Sequence, residues 1–420
     1  MVDIRPFKAL RPRGELVSKV SSPPYDVIGE QEASIIINSN PYSFLKVTKP
    51  EATLKWGMEV SEHQLAKIAA RNLKEMIENQ IMIEEEKRCL YLYRQSNDIV
   101  DRTGIVACLS VDDYQQGIIK KHEQIEIKTW QGRVSHIKET KAHTGCPLLV
   151  YKSNNFLEEL IKREIADREA IYDFLSDDGL RNCCWQIKEE EVIDDFRKAF
   201  RGIRALYIAD GHHRTAAAAE VARIRDQKLA ERENKNRDEE YRYFPALLIP
   251  HNQIRITGYH RLLKDLNGFS EHNFLKNIER LFEVEQITSN HSFLPTQKHE
   301  FGLNLAGQWY RLFFREDNFD KKSLDIIDRL DVSILQNKVL NPLLGIKDRQ
   351  KSTEVEFIGG DNALTRIEKG IQTGARIAFT LFPTSIEEVM EVSERGQIMP
   401  PKSTWFEPKV RSGIFVHLFE

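Results

Sequence analysis

The chain has little cysteine, with only Cys89, Cys108, Cys146, Cys183 and Cys184 in 420 residues, and no CxxC pair among them. An odd number at so sparse a spacing argues against a disulfide framework or a structural zinc site. Cys89 and Cys108 sit in apolar, strand-like runs and read as core thiols. Long hydrophobic runs are also missing: no stretch approaches the roughly 18 apolar residues of a membrane span. The opening MVDIRPFKALRPR contains no apolar signal region, so a cytoplasmic location with no membrane partner is expected. Charge of one sign is absent too. Lys and Arg number 61 against 64 Asp and Glu, a net charge of −3. With no helix-turn-helix signature, that balance argues against a nucleic-acid partner. There is no internal repeat and no long low-complexity segment. What is present is enough apolar sequence, 41%, for real cores, at a length that suggests two or three packed domains or subdomains.

Periodicity assigns the elements. Residues 60–80 repeat as a helix, and so do 154–176. The runs around Leu90–Tyr93 and 104–111 read as strands of a hairpin, joined by the polar loop Gln95 to Thr103. Residues 244–250 read as a strand, 301–315 as a hairpin about Gly307-Gln308, and 325–344 as an apolar helix. Lys228 to Arg242 is polar throughout and reads as a solvated helix end and loop. Ser385 to Glu388 fits a capping box opening a helix to about Gly396. Strands and helices alternate irregularly, which predicts α+β or mixed α/β rather than a doubly wound parallel sheet. The expected division is an N-terminal α+β subdomain over 1–100, a core over 101–260 and a C-terminal α+β subdomain over 261–420.

The densest chemistry lies at 206–215, Leu-Tyr-Ile-Ala-Asp-Gly-His-His-Arg-Thr. An apolar run stops at Asp210-Gly211, and an alanine-rich segment, Ala216 to Ala222, comes after it with strong helix propensity. Strand, tight turn and helix N-terminus is the implied order. Unpaired N–H groups at a helix start attract phosphate. Gly211 permits close approach, and Arg214 can add a bidentate, permanently charged contact. Gly211, His212, His213, Arg214 and Thr215 are therefore candidate phosphate-binding residues. Asp210 is a candidate catalytic carboxylate and Mg²⁺ ligand. The bland alternative is a buried strand with ordinary Asp-Gly turn chemistry.

Two other stretches stand out. Ile118 to Glu123 places Glu123 after Lys120, Lys121 and His122, giving a candidate general base beside candidate anion or substrate contacts. His122, His136 and His143 match no standard zinc spacing. Residues 399–416 hold Lys402, Ser403, Lys409 and Arg411 among prolines and aromatics. Extended backbone there would present cations and hydroxyls to a phosphate or carboxylate, and the final GIFVHLF should pack as a strand.

Taken together, RPFKALRPR, SSPPYDVI, NPYSFLKVT, TGIVACLSVDDY, IIKKHE, YIADGHHRTAAA, LDVSILQ, FIGG and MPPKSTWFEPKVRSG make the chain resemble the DUF1015 family over nearly its whole length. It departs from the family pattern at Gln124-Ile125, Gly132-Arg133 with His136, and His143 to Pro147. The strand–DGHHR–helix unit is similar to that of the ParB/sulfiredoxin superfamily, which includes free-serine kinases. The resemblance implies a nucleotide-binding core elaborated with additional subdomains. It also implies phosphorylation of free L-serine to O-phospho-L-serine, with ATP or ADP as donor and Mg²⁺. Carried over by position, Asp210 to Thr215 become the phosphate loop and Glu123 the catalytic glutamate. By residue type alone, His122, Lys402, Ser403 and Arg411 are expected as substrate contacts. A nucleotide-binding regulator and a phosphohydrolase are the alternatives.

Overall fold

The computed structural model describes residues 1–55, 57–58, 60–230, 239–288, 292–315, 317, 325–347 and 355–420. Two units form, and neither comes from the chain in simple thirds. Unit 1 comprises Met1–Lys121, Ile125–Ile254 and Pro408–Glu420, and unit 2 comprises His122–Gln124 and Arg255–Glu407. A cut at residue 100 would part the strands Leu90–Ser96 and Asp101–Ser110, which pair antiparallel from Tyr91↔Val106 to Ser96↔Asp101.

That pair sits in the main sheet of unit 1, which has nine strands among the described residues. From one edge the order is 119–120, 206–210, 148–151, 243–250, 101–110, 90–96, 181–187 and 172–175, with 4–5 also pairing to 101–110. Parallel and antiparallel neighbours mix: 206–210 runs parallel to 119–120 and antiparallel to 148–151. Helices lie among these strands, so the fold is mixed α+β. Central strands read as continuous apolar runs because both faces are covered. Leu148–Tyr151 is buried throughout, as are Leu206, Tyr207, Ile208 and Ala209. Phe196, Phe200, Ala217, Ala218 and Val221 pack into the same core. A second sheet of unit 1 pairs 82–84, 9–12, 416–418 and 142–143, so the C-terminal run does end in a strand, Val416–Leu418.

Helix Glu62–Glu78 opens on a capping box formed by Ser61 and Gln64. The helix expected over 154–176 stops at Ala166. Tyr172–Leu175 is instead a strand, paired with Arg181–Cys184 around Gly179 at φ 78°. Turn chemistry at Asp177-Asp178-Gly179 outweighs the helical period. The stretch Lys228 to Arg242 begins as the end of helix His212–Ala230 and closes on a 3₁₀ turn, Glu240–Arg242. Its positions 231–238 lie outside the described residues.

Unit 2 holds a six-stranded sheet in the order 282–286, 308–314, 300–305, 377–381, 260–263, 355–358. Ala306 and Gly307, at φ 49° and 93°, make the two-residue turn between 300–305 and 308–314, where both central positions need positive φ. The capping box of Ser385 and Glu388 opens the helix Ile386–Glu394. The apolar helix expected over 325–344 is broken into a 3₁₀ turn, a short α-helix Asp331–Leu335 and a π turn Gln336–Leu340.

Candidate functional site

Strand Leu206–Asp210 delivers its last residue to a turn and passes at once into helix His212–Ala230. The pairing with 148–151 slips between Ile208 and Asp210, so one residue bulges just before the turn and re-aims the chain as it enters the helix. Gly211 has φ 100°, and a Cβ there would sit 2.9 Å from the Pro147 Cβ and 3.0 Å from Arg214 Nε. Both backbone angle and close approach demand glycine.

Asp210 is held by two cations of the same unit. Arg214 Nη2 donates to its Oδ2, and Lys409 Nζ lies 3.5 Å from its Oδ1. Burial pushes the Asp210 carboxyl up, but Lys409, Arg214 and His212 outweigh it and hold the group ionised far below the usual carboxylate range. Arg214 also donates from Nη1 to the Cys146 carbonyl at 3.0 Å. Its Nε is buried with no hydrogen-bond partner among the described residues, next to the glycine turn. An N–H left unpaired in this way costs free energy unless something accepts from it.

The neighbouring loop residues have different partners. The Glu126 N–H donates to His213 Nε2 at 3.0 Å, which places the imidazole proton of a neutral His213 on Nδ1. His212 is 2% exposed. Thr215 is fully buried and its hydroxyl donates to the Gly211 carbonyl, so its oxygen caps the turn from inside.

Lys409 reaches Asp210 because the strap before the final strand is pinned. Arg102 and Gln95, each 1% exposed, donate to the carbonyls of Pro408 and Lys409 at 2.6 and 3.2 Å. Arg411 pins the other end. It donates to Asp177, Asp178, the Ser21 hydroxyl and the Ser21 carbonyl. With four of its five N–H groups so engaged and its side chain 4% exposed, Arg411 braces the strap.

Three of the expected residues lie in unit 2, as does the expected base. The His122 carbonyl accepts the Met399 N–H at 2.7 Å, and its ring stands 6.3 Å from that of Phe406. Glu123 is next along the short segment His122–Gln124. Lys402 has φ 59°, gives its carbonyl to Arg261 and places Nζ 5.8 Å from the Tyr259 ring centroid. Ser403 donates its hydroxyl to the Pro400 carbonyl and is 6% exposed.

Asp210 was also expected to hold Mg²⁺. Both of its oxygens already face cations, one a permanently charged guanidinium. A hard divalent ion seeks several oxygen ligands and would have to displace that charge. No group of three His, Cys, Asp or Glu able to hold a metal occurs among the described residues. The residues present do not fit a protein-held Mg²⁺ at Asp210.

Tyr25, Arg133, His136 and Thr144, assigned no role from the sequence, line a narrow cleft with Arg214 and Pro147. Arg133 and His136 share a face of helix Ile127–Thr140, and their i, i+3 spacing was the available signal. His136 Nε2 lies 2.9 Å from the Thr144 hydroxyl. Burial, with Arg133 adding to it, keeps that imidazole neutral well below its ordinary value. His143 instead stacks on His417, ring centroids 6.0 Å apart.

No curated protein matches the chain by sequence. Among solved structures, a free serine kinase variant in complex with AMP is similar at 13% identity and a TM-score of 0.38, over 74% of this chain and 92% of that one. A further variant in complex with ADP gives 14%, a TM-score of 0.36, and 74% and 92%. SbnI with a C-terminal truncation, from Staphylococcus aureus, gives 12%, a TM-score of 0.37, and 74% and 87%. The sequence profile of the family described as "Protein of unknown function (DUF1015)" matches residues 4–333. With most of its length so matched, the chain belongs to the DUF1015 family.

Proposed function

We propose that the protein is a small-molecule kinase that transfers a phosphoryl group from ATP or ADP to the hydroxyl of free L-serine. The observation that carries the reading is the Asp210–Gly211–Arg214 turn. It combines the start of a 19-residue helix, a glycine against whose backbone Pro147 and Arg214 pack, and a buried arginine whose Nε has no acceptor among the described residues. Helix-start N–H groups and a fixed guanidinium are what bind phosphate oxygens. Phosphoryl transfer asks mainly for positioning and charge neutralisation. Arg214 and Lys409 supply the charge, and Asp210 keeps both cations in place.

The family resemblance supplies the reaction. It assigns the base role to Glu123, which would orient or deprotonate the serine hydroxyl. Of the remaining expected contacts, His122, Lys402 and Ser403 stay in the reading as substrate contacts, Ser403 as an acceptor only, since its proton goes to the Pro400 carbonyl. His212, His213 and Thr215 serve the donor site by shaping the loop around its backbone N–H groups.

The test incubates purified protein with Mg²⁺, L-serine and either ATP or ADP, and monitors the products by phosphorus NMR. Phosphoserine is expected, and the tube in which it forms names the donor. Glu123→Gln is expected to abolish transfer and leave nucleotide binding intact; transfer that survives the change removes Glu123 from the base role. Bound nucleotide with no turnover marks a ParB-like regulator, and free phosphate without phosphoserine marks a hydrolase.

A further inference from the structure

Helix Ile127–Thr140 of unit 1 carries an arginine that the donor site does not use. The Arg133 guanidinium carbon lies 4.0 Å from the centroid of the Tyr25 ring. No carboxylate forms an ion pair with it among the described residues. The Arg133–Tyr25 stack belongs to two adjoining clefts at once.

The inner cleft reaches Thr144, Gly145 and Arg214. Its cavity of about 30 Å³ takes one small polar group and is too tight for a base or a ribose. Its charged groups are cationic: Arg133, Arg214 and no carboxylate in its lining, with His136 neutral against Thr144. The outer cleft is larger, about 380 Å³, and three carboxylates in its lining, Glu51, Glu62 and Glu126, outnumber the one further cation there, Lys128. Glu51 has Lys49 at 3.7 Å. Glu62 turns its carboxylate onto the helix backbone: a Cβ on Gly132 would lie 3.0 Å from Glu62 Oε2. Positive charge at the inner end and negative charge at the mouth are thus separated by a single side-chain stack.

We infer that the two clefts hold an α-amino-acid zwitterion, its carboxylate inside at Arg133 and its ammonium outside at Glu62 and Glu126. A guanidinium stacked on an aromatic face keeps its in-plane N–H fork available for a carboxylate. Burial of the inner end makes the bond strong, because water competes poorly there. The His213–Glu126 hydrogen bond ties the start of this helix to the first turn of the donor helix. As the acceptor site of a kinase the inference rests on the function proposed above; as an amino-acid site it stands separately.

The experiment measures binding of L-serine by calorimetry and its KM by phosphoserine formation. L-Serinamide serves as the probe without the carboxylate, and N-acetyl-L-serine as the probe without the ammonium. Wild-type protein should prefer L-serine to both. Arg133→Met should raise the Kd and KM for L-serine roughly 10- to 100-fold, the loss of one charged hydrogen-bonding partner. It should leave L-serinamide unchanged and nucleotide Kd within about twofold. Arg133→Lys, which keeps the charge and loses the fork, should fall between, and Glu62→Gln should narrow the gap between L-serine and N-acetyl-L-serine. Unchanged L-serine affinity in Arg133→Met overturns the site. A parallel loss of nucleotide affinity also overturns it and gives the cleft to the donor. Arg133-dependent L-serine binding without phosphoserine keeps the site and removes the kinase. Phosphoserine with an L-serine KM indifferent to Arg133 does the reverse.

Discussion

Asp210 in unit 1 and Asp331 in unit 2 are two largely buried aspartates that titrate in opposite directions. Asp331 opens the short helix Asp331–Leu335, and its two oxygens accept the His299 N–H at 3.1 and 3.2 Å. Burial pushes its carboxyl up to about 7; the His299 N–H opposes the rise and Glu388 adds to it. Burial acts on Asp210 in the same sense, yet Lys409, Arg214 and His212 win and hold it ionised. Burial sets the cost of a charge, and the cations in reach decide whether the charge stays. A carboxylate that stays ionised beside two cations is their counter-ion, which suits a site that receives an anion. One that drifts toward neutrality is a structural acid.

Arg214→Met breaks the contrast most severely. It leaves Asp210 with Lys409 and His212, and removal of one member of a buried pair costs about 3–5 kcal/mol. Urea denaturation should show that loss, and nucleotide affinity should fall by about one to two orders of magnitude. A wild-type midpoint with wild-type affinity would dissolve the distinction between the two aspartates.

Asp331→Asn sharpens the other side. The folded carboxyl is raised from 3.8 to about 7, so the folded state binds the proton more tightly than the unfolded one. Its contribution is complete below about pH 4 and is lost as pH rises through about 7. The loss across that window is on the order of 4 kcal/mol. Denaturation from pH 4 to 8 should slope downward for the wild type and flatten in the variant; matching slopes would exonerate Asp331.

Gly211→Ala has the smallest effect. It places a Cβ at φ 100° and 2.9 Å from Pro147, at a cost of about 1–3 kcal/mol. A thermal melt should register it, together with weaker nucleotide binding as Arg214 is displaced. A melt identical to wild type would mean the turn relaxes freely and does not fix the cluster.

The strand–turn–helix unit at 206–230 was legible because an apolar run, Asp-Gly and an alanine-rich segment all point the same way. The hairpins at 90–110 and 300–314 and the Ser385 capping box were legible for the same reason: local signals agreed with the tertiary outcome. Tyr172–Leu175 was not, because strand pairing with 181–184 overrides a helical period that continues past Ala166. The partners of the site residues were hidden for a different cause. Nothing local to Asp210 says that Lys409 lies 3.5 Å away, or that Arg102 and Gln95 hold the strap that brings it there. Arg411 looked like a ligand contact by residue type, and only its four hydrogen bonds to Ser21, Asp177 and Asp178 reveal a brace.

The interposition of unit 2 between Ile254 and Pro408 also bears on how the chain is born. A ribosome adding about 5–20 residues per second makes the Asp210 turn, then all of Arg255–Glu407, before Lys409 emerges. For roughly 10–40 seconds the nascent protein carries the turn without its lysine and the 9–12 strand without its 416–418 partner. Synthesis itself thus orders assembly: the inserted unit has the opportunity to fold first, and Lys409, translated after it, completes the charge balance of a loop made long before.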